Sequence, residues 1–254
     1  MQATVLRETP RHLFRPSPFR SYVWLAVGCG VVATPIPPFA AYYLKVGSQL
    51  STGQIMMFET ARYLGVMVAA WLIRRRIDAN GAKPFFLVAL SLYAAVGAYW
   101  WMYLEYGFGG IAGIYAVYFL LGLGAATWAI ATLNYLPKIV DLEDRTLAVS
   151  VQGAVTACMG GMSPIVWGLF LKGSESGTRS IDPDVFQLFF LTVIIASLVL
   201  GALFTRLPED KHQHVEPILI GGAILRPLRA MTALVNLIDP RSLRKKTPEM
   251  RKDD

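Results

Sequence analysis

Histidine is nearly missing from this chain: only His12, His212 and His214 occur in 254 residues, and none lies in a long apolar stretch. No GxSG, HExxH or clustered-cysteine pattern is present either. The side chains on which most hydrolytic or zinc-dependent chemistry rests are therefore not assembled, and a membrane enzyme is the least favoured function class. His212 and His214 have no further histidine or cysteine nearby in sequence to complete an obvious ligand set, so neither a metal site nor a cofactor is expected. Cysteine is as sparse. Cys29 and Cys158 both fall in apolar stretches, where a thiol is a small filler, and they imply no disulfide framework. Charge is also low, at 16% of residues against 54% apolar, which sets the chain apart from an ordinary soluble domain. Acid is almost excluded from the apolar stretches: of 17 acidic residues, Glu59 alone lies well inside one.

What remains is six long apolar runs, at roughly 22–44, 55–73, 85–103, 110–134, 148–171 and 185–205. Each approaches the ~20 residues a helix needs to cross hydrocarbon. The expected fold is an all-α integral membrane bundle of six transmembrane helices. If each run crosses, 20 of the 24 lysines and arginines lie in segments on one side, while the other side carries Lys45, Lys172 and Arg179. By the positive-inside rule both termini are expected in the cytoplasm of a cell (plasma or bacterial inner) membrane. The net charge of +7 then reflects contact with anionic lipid rather than a nucleic-acid partner. Residues 1–21 form a basic segment with no short apolar core ahead of a small-residue cleavage site, so a removed signal peptide is not expected. The bundle occupies 22–207 and a basic tail 208–254.

Within that tail, 218–238 is apolar enough to suggest a seventh span. Arg226 and Arg229 near its centre would each cost about 2.5–3.5 kcal/mol to bury, roughly cancelling its aliphatic residues. Ile224, Leu228, Met231, Val235 and Ile238 instead recur in steps of four and three, the pattern of an amphipathic helix lying on the membrane surface.

Two features interrupt the spans. The first carries Thr34-Pro35-Ile36-Pro37-Pro38 near its centre; such a run removes backbone donors and breaks the helix, which is tolerated at membrane depth only where freed carbonyls find protein or water. The second carries Glu59 and Arg62, three residues apart and so on one helical face. Charges at that depth are costly and commonly functional. Two readings stand: an ion pair that neutralises itself for structural reasons, or a cavity-facing pair that touches substrate or moves a proton.

Residues 74–84, RRRIDANGAKP, resemble the loop between the second and third helices of each half in the major facilitator superfamily. Asp78, Gly81 and Lys83 match its pattern; Arg74, Ala79 and Ala82 stand where the family carries glycine or arginine. The fifth span, opened by Asp144 and Arg145 and ending MSPIVWG, is similar to the family's fifth and eleventh helices. Six helices with basic flanks look like the C-terminal half of such a transporter, as a truncated fragment, a split-gene half or a unit that pairs. The resemblance implies a 3+3 inverted-repeat bundle moving a small-molecule substrate by alternating access, completed by a second six-helix half or a homodimer. An echo of Ile77-Asp78 and Phe85-Phe86 in Ile181-Asp182 and Phe189-Phe190 has the spacing such a repeat would leave. It further implies that Thr34, Tyr42, Thr127, Trp128 and Asn134, with Gln152 and Thr156, face the cavity. The small residues Gly153, Ala157 and Gly161 would meet the partner half. A scaffold that keeps the fold without the transport cycle is the competing class.

Overall fold

The computed structural model of the protein describes residues 17–74, 76–140, 144–174 and 183–207. The basic segment before residue 17, the polar loop around 176, and the tail with its 218–238 stretch lie outside the described residues. Among those described, all regular structure is helical, and six helices are long and apolar enough to cross a membrane. The protein is thus read as a multi-pass membrane protein.

The first span is two helices, α1 (Pro18–Ala33) and α2 (Ile36–Val46), separated at Thr34 and Pro35. The second is α3 (Thr52–Ile73), opened by a capping box in which Ser51 Oγ accepts from the Gln54 amide and the Gln54 side chain accepts from the Ser51 amide. A single turn, α4 (Ile77–Asn80), leads to the third span, α5 (Lys83–Tyr106), followed by α6 (Gly110–Ile139), α7 (Arg145–Ser174) and α8 (Pro183–Phe204). The fourth and fifth helices extend beyond their apolar cores: α6 runs past Asn134 to Ile139 and α7 starts three residues before Ala148. Backbone hydrogen bonding continues into the polar flanks, where hydropathy no longer marks the helix.

The proline break has a specific remedy. Pro35 has no N–H to donate to the carbonyl of Val31, four residues earlier. Ser163 on α7, itself buried, donates its hydroxyl to that carbonyl at 2.7 Å. The break is therefore satisfied by a neighbouring helix, as an apolar surrounding demands.

Helix α3 packs along α6, and α1 along α7. The pair α5 and α8 also meet closely; α5 touches α6, and α1 touches α8. Lighter contacts join α2 to α3, α6 to α7, and α1 to α6. Glycine lines several of these crossings, the α3–α6 and α1–α7 ones among them. A Cβ at Gly65 would overlap the Phe119 carbonyl and one at Gly122 the Arg62 carbonyl, so α3 and α6 approach backbone to backbone. At the α1–α7 crossing, a Cβ on Gly30 would stand 3.1 Å from Thr156 Cγ2, and one on Gly160 would stand 3.0 Å from Thr34 Oγ1. Aromatic rings fill the space between α5, α6 and α8: Phe86 lies against Trp128 at 4.9 Å and Phe204 at 5.0 Å, and Trp100 stacks on Phe190 at 5.6 Å. Of the six spans, α3 and α7 are the least buried.

Candidate functional site: an ion pair within the second span

At 1.5 Å per residue, Glu59 and Arg62 stand about 10 and 15 Å along a helix about 33 Å long. Arg62 Nε donates to Glu59 Oε2 at 2.5 Å, and the two side chains are 24% and 25% exposed. The guanidinium carbon also lies 4.9 Å from the centroid of the Tyr63 ring, a cation–π distance. Among the described residues Arg62 makes no other side-chain hydrogen bond or ion pair. Its Nε is spent while both Nη groups remain open.

The backbone beneath the pair is fixed by α6, because Gly122 sits on the Arg62 carbonyl. One turn earlier on α6, the ring of Tyr118 packs against Phe58 at 5.7 Å and Trp100 at 6.4 Å. Its hydroxyl is buried and has no hydrogen-bond partner among the described residues, and Phe58, on which its ring packs, is the residue next to Glu59. Tyr115 donates to the sulfur of Met57 at 3.7 Å on the same wall. The site thus combines a carboxylate, a guanidinium with open donors, and an unspent phenol.

The residues expected to face a cavity lie on several helices, with Thr34, Gln152 and Thr156 near the α1–α7 crossing. Thr34 is exposed at the helix break. Tyr42 is 45% exposed and stacks on Phe186 at 6.2 Å. Thr127 is fully buried and donates to Leu123 O at 2.6 Å, while Asn134 donates to Ile130 O at 2.9 Å. Trp128 is part of the aromatic packing around Phe86 and Phe204. Gln152 is buried and donates to Thr156 Oγ1 at 3.2 Å. Gly153, Ala157 and Gly161 are exposed on α7, and a Cβ at either glycine would meet nothing within 4 Å. In the loop after α3, the Asp78 side chain lies outside the described residues. Gly81 has φ 74° and ψ 174°, a conformation left almost entirely to glycine. Lys83 donates to the Leu207 carbonyl at 2.9 Å, joining the start of α5 to the end of the sixth span.

Sequence reading did not single out Tyr118, Gly65, Gly122 or Ser163. The glycines carried a signal, being small residues within apolar helices. Tyr118 carried none, since tyrosine in a membrane protein usually marks the interface. A separate cavity of about 200 Å³ opens between the start of α1, the end of α6 and the start of α7, with Phe19, Ile139, Leu147 and Val151 as apolar walls and Ser17 and Asp144 as polar ones. Comparison of the chain with protein-family models, with curated proteins and with solved structures finds no match.

Proposed function

We propose that the chain is one half of a secondary transporter, moving a small solute by alternating access against a second six-helix unit. The observation that carries this is the polarity of α3. An ion pair a third to halfway across hydrocarbon, on one of the two least buried spans, is expensive against lipid and calls for a protein or water-filled partner face.

The contact pattern supports an inverted 3+3 repeat. Exchanging the first span with the fourth, the second with the fifth and the third with the sixth turns the α3–α6 contact into α7–α1, and α5–α6 into α8–α1. The α2–α3 contact becomes α6–α7, and the α5–α8 and α1–α6 pairs map onto themselves, so each of these contacts among the described residues has its counterpart. Glycine makes both exchanged crossings, Gly65 with Gly122 and Gly160 with Gly30. Three spans being an odd number, the second set runs inverted in the membrane, the arrangement from which alternating-access sites are built. The exchange also pairs the two least buried helices, α3 and α7, which on this reading flank one open side.

In this reading the open side faces the partner half, the N- and C-termini are cytoplasmic, and the tail stretch 218–238 lies on the anionic leaflet. A second reading, a scaffold without flux, draws on the local hydrogen bonds that occupy Thr127, Asn134 and Gln152. Proteoliposomes containing the purified chain, at protein-to-lipid ratios giving monomers or dimers, separate the two. Saturable uptake of a labelled solute should appear only with the paired unit. Saturable flux from a strict monomer defeats the half-transporter reading, and a stoichiometric partner with no flux favours the scaffold.

A further inference from the structure

We infer that the Glu59–Arg62–Tyr118 cluster is a binding site for a small anion, a carboxylate or phosphate, held by the open Nη edge of Arg62. The inference rests on the transporter reading for its purpose, but its chemistry is local. Arg62 is tied to Glu59 through Nε alone, and its ring-stacked guanidinium keeps both Nη groups free among the described residues. A guanidinium presents its donors as a planar fork that matches a carboxylate or phosphate with two parallel hydrogen bonds. With Nε already engaged, the remaining Nη edge still offers that geometry. Gly122 fixes the Arg62 backbone and the Tyr63 ring lies under the guanidinium, so the fork is anchored at its base while its Nη edge is left to turn toward a ligand.

Tyr118 gives the cluster its second state. A buried phenol without a partner is unusual, because such a group ordinarily forfeits a hydrogen bond. An anion on Arg62 brings a second negative charge beside Glu59, and Glu59 then gains from a donor other than Arg62. Tyr118 carries an unspent O–H, and its ring packs on Phe58, the residue next to Glu59. It is a positioning residue: its hydroxyl takes over Glu59 as Arg62 turns to the anion. No proton is transferred in this exchange; only hydrogen-bond partners change.

The test is equilibrium binding of labelled benzoate to the full chain in lipid nanodiscs, with benzylamine as the cationic probe of the same size. Benzoate should bind saturably and benzylamine should not. Arg62→Gln should weaken benzoate by about tenfold or more, the loss of charge-assisted hydrogen bonds, and Arg62→Lys, charged but without the planar fork, should fall between. Glu59→Gln should tighten benzoate, since it removes the competing carboxylate. Tyr118→Phe should weaken it in the wild-type background and have no effect alongside Glu59→Gln, a coupling that a packing role would not produce. The double variant Glu59→Gln with Arg62→Gln leaves no charge unpaired, so it should fold yet not bind benzoate. No saturable benzoate binding, benzoate binding that survives Arg62→Gln, or benzylamine binding that depends on Glu59 would each overturn the assignment. Benzoate binding with no flux leaves the anion site standing and removes the transport reading; flux of a cation with no benzoate binding does the reverse.

Discussion

The carbonyl of Arg62 lies so near Gly122 that a Cβ on that glycine would overlap it. The residue that supplies the intramembrane charge is also the point where the second and fourth spans touch, so substitution at Gly122 acts on both. Gly122→Ala should destabilise the bundle by about 1–3 kcal/mol through overpacking and disturb Arg62, read as an earlier thermal unfolding in detergent. Gly153→Ala and Gly161→Ala, whose Cβ atoms would meet nothing, should leave unfolding unchanged while reducing association between units.

Ser163→Ala should expose the Val31 carbonyl that Pro35 leaves without a donor. Hydrogen bonds between membrane helices average about 0.6 kcal/mol and reach about 1.7 kcal/mol, and this buried one belongs at the upper end. In a Pro35→Ala background, where residue 35 regains its own N–H, Ser163→Ala should cost less. Equal losses in both backgrounds would show that the serine does not serve the break.

Orientation can be read from single cysteines at Gln49 and Asn80, exposed in successive loops, after replacing Cys29 and Cys158. An impermeant maleimide added to intact cells should label position 49, and position 80 only after permeabilisation. Labelling of both from outside contradicts the six-span topology.

Lys83→Met should loosen the end of the sixth span by about 1 kcal/mol, because the ammonium that caps the Leu207 carbonyl is lost. Faster hydrogen exchange at residues 203–207, with the centre of α8 unaffected, is the expected mark. Uniform exchange along α8 speaks against a local cap.

The six spans were legible because a helix that must cross hydrocarbon has few ways to be written, and Glu59 and Arg62 stood out for the same reason. Three residues apart on a helix, they could be paired from spacing alone. Tyr118 could not be joined to them, since it comes from a helix some sixty residues later and is placed beside Phe58, the neighbour of Glu59, only by packing. The proline break was plain in the sequence; its remedy was not, because nothing in a serine on the fifth span points to a carbonyl on the first. Gly161 was noticed for the ridge it makes with Gly153, while the glycine that meets the first span is its neighbour, Gly160. That difference is one residue of helix rotation, about 100°, which hydropathy does not resolve.

The Ser163–Val31 bond also dictates a schedule for biosynthesis. Its partners are 132 residues apart, so at ~5–20 residues per second the first span waits roughly 7–26 s after its own synthesis for the hydroxyl that completes it. Glu59 and Arg62 need no such delay, since each is born within a turn of the other. The charges of the second span can thus neutralise each other before any later helix is made, whereas the open carbonyl of the first span stays without its donor until the fifth arrives.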